Sequence, residues 1–435
     1  MKHSRAMQAL RPPAFAYKTV HASAQIPELH CEDVALEALA ERHGTPLYVY
    51  STAMIRARVS AFARAFRSIP HTVCYSVKAN STLAVLKLLA RDNAGFDVVS
   101  GGELQRVLRI SRKASKKVVF SGVGKTALEM ELALRSGILL FNIESASELR
   151  VLSATAARLK KRAAIAVRVN PDVSAKTHPY ISTGLHQHKF GVPIADAIRL
   201  YKQAAKQPFI QVAGVSVHIG SQITDVGSFR SALERVAGLV RTLRRQGHDI
   251  RYVDAGGGLG ISYEGIRPSF DKRLAAYARA LLGPLRGLKV HLLLEPGRSI
   301  VGPAGVLLTR VLYRKTNHRK RFLIVDAAMN DLVRPSLYGA YHEIVPVRLV
   351  SKDKEVTDVV GPICETGDFF ARDRRLPSLN EGDLLAILDA GAYGSVLSSN
   401  YNTRGRAAEV LVDGTRAKVV RRRESTEDQL RAEVL

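Results

Sequence analysis

The stretch Thr72-Val73-Cys74-Tyr75-Ser76-Val77-Lys78-Ala79-Asn80 sets the reading of the whole chain. Its first six residues are rich in β-branched and aromatic side chains, bounded by Pro70 before and Asn80-Ser81 after, and they predict a strand. A lysine stands where the apolar run ends, ahead of a helix that opens at Ser81 and continues Leu83-Ala84-Val85-Leu86-Lys87-Leu88-Leu89. An ammonium held against an apolar wall is penalised by desolvation, and its pKa can fall several units below the free value of about 10.4. A neutral amine there can bind a carbonyl group covalently. A lysine that merely reaches into solvent from a strand end is the ordinary alternative, so other motifs must decide.

Outward from this stretch the chain alternates. Strands are predicted at Val73–Lys78, Phe96–Ser100, Val118–Ser121, Leu140–Ile143, Ala164–Val169, Gly214–Ile219, Tyr252–Ala255 and His291–Glu295. Helical patterns fall between nearly all of them, as at Glu103–Ile110, Ala127–Arg135, Ala146–Lys160, Ala195–Lys206 and Phe229–Gln246. Apolar strands separated by helices over about 230 residues point to a parallel (β/α)8 barrel, with a doubly wound open sheet as the alternative. Beyond Val301 the texture changes to strand-like runs with turns between them: Val306–Leu308, Phe322–Val325, Val345–Leu349, Leu384–Leu388 and Ala408–Val412. The expected architecture is therefore an α/β barrel over 46–300 followed by a mainly β domain over 301–420. Residues 1–45 are expected to pack with the β domain, their start frayed, and 421–435 to form a tail, loosely attached from Glu424 to Leu435. A short helix from Val34 closes near His43-Gly44, and Pro46–Tyr50 reads as a strand.

Composition excludes several classes. No apolar run approaches the ~20 residues of a membrane span. The net charge is +26, but the basic residues are scattered. The densest runs, Lys116-Lys117, His318–Arg321 and Arg421–Arg423, are not interleaved with aromatics as a single-strand groove would be. The charge reads as a solvated basic surface. Three cysteines, Cys31, Cys74 and Cys364, lie far apart with no Cys-x-x-Cys spacing, which fits a reducing compartment rather than disulfides or zinc. The first acidic residue is Glu28, and the basic N-terminus lacks the apolar core of a secretory signal.

In such a barrel the side chains at the C-terminal ends of the strands face the active site. Here they are Lys78, Asp97 with Ser100, Ser121, Asn142 with Glu144, Arg168 with Asn170, His218 with Ser221, Asp254 with Gly256-Gly257-Gly258, and Glu295 with Arg298. A purely structural barrel has no need of so polar a rim. Gly256–Gly260 allows backbone N–H groups to approach a phosphate, with a tight turn as the plainer reading. Ser121–Thr126 lacks the leading glycine of a P-loop, and Lys125-Thr126 instead opens a helix. His218 could be a satisfied core histidine or could stack on a planar ring. Glu295-Pro296-Gly297-Arg298 sets a carboxylate and a guanidinium on one turn, either as a surface ion pair or to hold a ring-nitrogen proton and a carboxylate. Cys364, beside Glu365 and Asp368, is either structural or a proton donor, and Tyr393 stands between small residues where its hydroxyl could reach a ligand. His178, His186 and His188 lie in a long loop without acidic or cysteine partners at ligand spacing, so no metal site is expected.

Taken together, these motifs resemble the fold-type III pyridoxal-phosphate decarboxylases from about Gly44 to Gly414. They run in the family's order as YSVKAN (75–80), FDVVSGGEL (96–104), RVNPDV (168–173), KFGV (189–192), HIGSQ (218–222), DAGGGLG (254–260), EPGR (295–298), RPSLYGAYHEI (334–344), CETGD (364–368) and DAGAYG (389–394). The resemblance implies pyridoxal 5'-phosphate as cofactor and no metal. It also implies Lys78, Cys364, Glu295 and His218 as catalytic residues. Lys78 would carry the cofactor, His218 would stack on its ring and Glu295 would keep its nitrogen protonated. Asp97, Ser221, Gly257, Gly258, Gly260, Gly297, Arg298 and Tyr393 would complete the cofactor site. The stretches at 334–344 and 364–368 favour the members that convert meso-diaminopimelate to L-lysine over those acting on ornithine. Arg298, Arg334, Tyr338, Glu365 and Tyr393 would then bind substrate. In such enzymes the cysteine matching Cys364 comes from the partner subunit, which implies a cytoplasmic homodimer with no specific nucleic-acid or membrane partner. The family usually has serine at Thr366 and prolines at Gly405 and Ala407, departures that touch a loop and leave the chemistry alone. Alternatives are a relative acting on ornithine, arginine or carboxynorspermidine, or a catalytically silent binding paralogue.

Overall fold

A computed structural model describes residues 12–19, 26–173, 189–265, 267–349 and 353–434. It divides into two compact units, one comprising Arg58–Ile261 and Pro268–Ser299 and the other the remaining segments.

The first unit is a closed barrel. Its strands are His71–Ser76, Gly95–Val98, Val118–Phe120, Leu140–Ile143, Ala163–Asn170, Ile210–Val217, Tyr252–Asp254 and His291–Leu294. Each pairs in parallel with the next, and the last pairs with the first through Leu292–His71, Leu293–Thr72 and Leu294–Val73. Closure removes the open edges that a doubly wound sheet would retain. Cys74, Val119, Leu140, Ala166, Ala213 and Leu293, each from a different strand, form one buried cluster. The helices start where short polar side chains satisfy their first N–H groups. Ser100 accepts from the Glu103 N–H and Ser145 from the Glu148 N–H, while Thr126 and Glu129 form a reciprocal capping box. Lys125-Thr126 therefore does open a helix, Ala127–Ser136. One expectation fails in detail: the first strand stops at Ser76, and Lys78 lies on a single 3₁₀ turn, Val77–Ala79.

The second unit is built on the long strand Gly305–Asn317, which pairs with Leu47–Ser51, Lys320–Val325 and Leu384–Ile387. Period-two alternation sends Tyr48, Tyr50 and Leu307 into one core and Leu47, Val49, Val306 and Leu308 into another, on the opposite face. Leu47–Ser51, expected within the barrel segment, thus belongs here, because Gly305–Leu308 on one side and Ala408–Val412 on the other pair with it. Of the start expected to fray, Phe15–Lys18 pairs antiparallel with Glu28–Cys31 and buries Phe15, while residues 1–11 and 20–25 lie outside the described residues. The expected loose tail is held as well. Glu424 Oε2 accepts from Asn400 Nδ2 and, at 3.0 Å, from the Arg406 N–H, and Thr426–Leu430 forms a capped helical turn. Strands Lys354–Val360, Phe369–Pro377 and Arg416–Arg421 were not expected from the sequence; charges interrupt their apolar pattern.

Candidate active site

Above the barrel's apolar cluster the strand ends bring three buried carboxyl groups into one layer. Asp97 is fully buried; its Oδ2 accepts from Ser76 Oγ at 2.6 Å and from Lys78 Nζ at 3.1 Å, and its Oδ1 has no partner among the described residues. Asp254, also fully buried, accepts from Asn142 Nδ2 at 2.6 Å, Ser216 Oγ at 3.3 Å and the Gly256 N–H at 2.9 Å. Glu295 receives a long bond, 3.3 Å, from Ser121 Oγ and lies within hydrogen-bonding reach of Asp254. Burial first, then the charges of Asp254 and Asp97, pushes Glu295 well above the usual carboxylate range. Glu295 and Arg298 are both buried, so they are not a surface ion pair; Arg298 donates to Ser221 Oγ at 3.2 Å.

His218 follows the sixth strand, and its Nδ1 accepts from the Gly257 N–H at 3.2 Å, which leaves the ring proton on Nε2. Desolvation, aided by the nearby positive charges of Arg168 and Lys78, pushes its pKa well below the ordinary histidine value. The imidazole is neutral. Part of the backbone of the glycine-rich turn is engaged within the protein. The N–H of Gly256 goes to Asp254, that of Gly257 to His218, and that of Gly260 to the Ile223 carbonyl at 3.0 Å. Its glycines allow close approach of neighbouring backbone. A Cβ on Gly257 would lie 2.1 Å from the Glu295 carbonyl oxygen, and one on Gly258, at φ +104°, 2.4 Å from that of Gly220. Gln222 then fastens the turn, donating to the Ile261 carbonyl and accepting the Ile261 N–H.

A second buried network borders this layer. Arg168 Nη1 donates to Glu144 Oε1 at 2.8 Å and its guanidinium lies over the Phe190 ring, while Glu144 Oε2 accepts the Gly191 N–H. Lys125 pairs with Glu148 at 2.7 Å, both buried. His178, His186 and His188 lie outside the described residues.

In the β unit Arg334 is buried and donates from Nε to His342 Nε2 at 3.2 Å. His342 Nδ1 lies 2.8 Å from the Leu388 carbonyl, to which it must donate, so Nε2 is the acceptor. Tyr263 and Tyr338 lie against the same guanidinium. Cys364 and Glu365 are exposed, which sets aside a buried structural role for the thiol; the Cys364 N–H donates to Asn402 Oδ1, and the Tyr401 hydroxyl bonds Glu365. Tyr393 is half-buried with φ +56°, in a loop whose Asp389 is gripped by Arg267 through both guanidinium nitrogens. Sequence reasoning gave no role to His342, Tyr263 or Gln222, and saw Asp254, Asn142, Glu144 and Arg168 only as polar strand ends. The polar character of those ends was the one signal available.

Residues 52–302 match the family model for the pyridoxal binding domain of pyridoxal-dependent decarboxylases. The chain belongs to the pyridoxal-dependent decarboxylases. It is 54% identical over 408 residues to the diaminopimelate decarboxylase of Pseudomonas aeruginosa, covering 94% of this chain and 97% of that protein. Among solved decarboxylases it resembles the Helicobacter pylori diaminopimelate decarboxylase complexed with L-lysine, at 43% identity and TM-score 0.85, over 91% and 98% of the two chains. The M. jannaschii diaminopimelate decarboxylase, also in complex with L-lysine, superposes with TM-score 0.90 at 37% identity, over 98% of each chain.

The barrel residues of this decarboxylase fit pyridoxal phosphate. A half-exposed amine, Lys78, offers a nucleophile for an aldehyde. Glu295 is a buried carboxyl with too few donors to be readily ionised, and it suits a basic ring nitrogen. The neutral His218 imidazole can lie against an aromatic ring without adding charge. Asp97 keeps a buried oxygen atom for which the described residues supply no donor.

Proposed function

We propose that this chain decarboxylates meso-diaminopimelate at one of its two amino-acid ends, giving L-lysine and carbon dioxide. The observation that carries the substrate assignment is the nearly full-length likeness to diaminopimelate decarboxylases, at up to 54% identity. L-lysine in two solved relatives supports the same reading.

When bound, pyridoxal phosphate supplies an electron sink for the pair left at Cα as carbon dioxide departs. In our reading Lys78 holds the cofactor and Asp97 orients the lysine. His218 lies against the ring and Glu295 holds a proton at its nitrogen. Ser221, Gly257, Gly258, Gly260, Gly297, Arg298 and Tyr393 serve the phosphate end. Cys364, contributed by the partner subunit of a homodimer, returns a proton to Cα.

Diaminopimelate carries a second ammonium and carboxylate, and burying both unpaired would cost several kcal/mol. Arg298, Arg334, Tyr338 and Tyr393 are suited to the carboxylate and Glu365 to the ammonium. Ornithine and lysine lack the distal carboxylate and leave arginines unmatched. A site of this kind rejects such analogues by a factor on the order of 10⁴. No described helix is long and apolar enough to cross a membrane, and the three free cysteines agree with a reaction in the reducing cytoplasm. Carbon dioxide release, measured with diaminopimelate, lysine, ornithine and arginine in turn, tests the assignment. Ready turnover of ornithine would overturn it.

A further inference from the structure

Three carboxyl groups, Asp97, Asp254 and Glu295, share the buried layer with the ammonium of Lys78, and their donors are unequally divided. Asp97 has Lys78 and the Ser76 hydroxyl. Asp254 has an amide, a hydroxyl and a backbone N–H, two of them at or under 2.9 Å. Among the described residues Glu295 has only the Ser121 hydroxyl at 3.3 Å, itself already an acceptor from Asn142 at 3.0 Å. The other titratable neighbours are the Cys74 thiol of the first strand and the Tyr277 hydroxyl of helix Phe270–Leu285. Both are buried and pushed up by desolvation, so they bring no compensating charge. Arg168 is taken by Glu144 and Arg298 is bonded to Ser221. A carboxylate gains from every N–H or O–H aimed at it, and a carboxylic acid needs an acceptor instead. Asp254 is built to be the anion and Glu295 to be the acid that donates to it.

We propose that Asp254 is a positioning residue that keeps a proton on Glu295 until the cofactor arrives, so that the ring nitrogen is protonated from within the protein. The proton moves from the Glu295 carboxyl oxygen to the lone pair of the ring nitrogen. Glu295 becomes the carboxylate, the ring becomes the cation, and the total charge of the site is unchanged. This inference rests on Glu295 facing the ring nitrogen, as read above.

Two measurements on the full-length chain test it. In the first, proton uptake on adding pyridoxal phosphate to cofactor-free protein is found by calorimetry in buffers of different ionisation enthalpy. Asp254→Asn removes the buried anion beside Glu295 and turns one of its two acceptor oxygens into an amide donor, so Glu295 should already be ionised. The variant should therefore take up one proton more than wild type, whatever the state of the free cofactor, which is common to both. Equal uptake overturns the proposal. The second measurement does not depend on the Asp254 variant. Infrared difference spectra of wild type should contain a protonated-carboxyl stretch that disappears on cofactor binding and is absent from Glu295→Gln. A cofactor-free wild type without that stretch overturns the proposal, and if Glu295→Gln then still loses turnover, the assignment of Glu295 to the ring survives alone. A stretch that is lost in Glu295→Gln but persists in loaded wild type overturns the transfer and the ring assignment together.

Discussion

The Lys78 amine and the Asp97 carboxylate stand 3.1 Å apart, the lysine side chain 35% exposed and the carboxylate fully buried. Asp97 is fixed by Ser76, two residues before the lysine, so strand, turn and carboxylate position the amine as one unit. Lys78→Ala should fold yet lose the covalent cofactor. Borohydride reduction of the unmodified enzyme followed by peptide mass spectrometry should find the adduct on Lys78, and an adduct on another lysine would refute the assignment.

Arg334 depends on His342 for its orientation, because the Leu388 carbonyl fixes which imidazole nitrogen accepts. A lysine cannot supply that planar fork. Arg334→Lys should lower kcat/KM for diaminopimelate roughly 10- to 100-fold, the scale of one charge-assisted hydrogen bond. Steady-state kinetics on the folded variant decide this, and an unchanged kcat/KM would remove Arg334 from substrate recognition.

An interface-spanning site predicts complementation. Lys78→Ala and Cys364→Ala chains should each be inactive alone. After free subunit exchange at equal amounts, half the dimers are hybrid and carry one intact site, so about a quarter of wild-type activity should return. No recovery, with exchange verified by mass-tagged chains, would mean that each site is completed within one chain.

Glu103 accepts the Val99 N–H at 2.8 Å, but burial, the largest influence, raises its pKa to about 7 from 4.5, with Asp97 adding to the rise. The folded state therefore prefers the neutral acid. Its contribution is fully present below pH 4.5 and is lost as pH rises through about 7. Glu103→Gln should flatten this part of the stability profile, by an amount on the order of 3 kcal/mol across that window. Urea denaturation at several pH values checks the slope; parallel profiles for variant and wild type would contradict it.

The barrel was legible because each strand is a short apolar run closed by a polar residue, and those closing residues became the layer that holds Lys78, Asp97, His218 and Glu295. Local pattern determines local conformation and the period of burial. It does not determine which strand lies beside which when both faces are apolar. Leu47–Ser51 is buried throughout, so its membership of the β unit was decided only by Gly305–Leu308 and Ala408–Val412 pairing on its two edges. The glycine turn was recognisable from its composition, but its use of N–H groups on His218 and Ile223 depends on a loop some forty residues earlier. The proton on Glu295 is the furthest from the sequence. Its location follows from how Asn142, Ser216 and Ser121, carried on or just beyond three different strands, divide their hydrogen bonds between two carboxyl groups, and only the closed barrel brings those donors together.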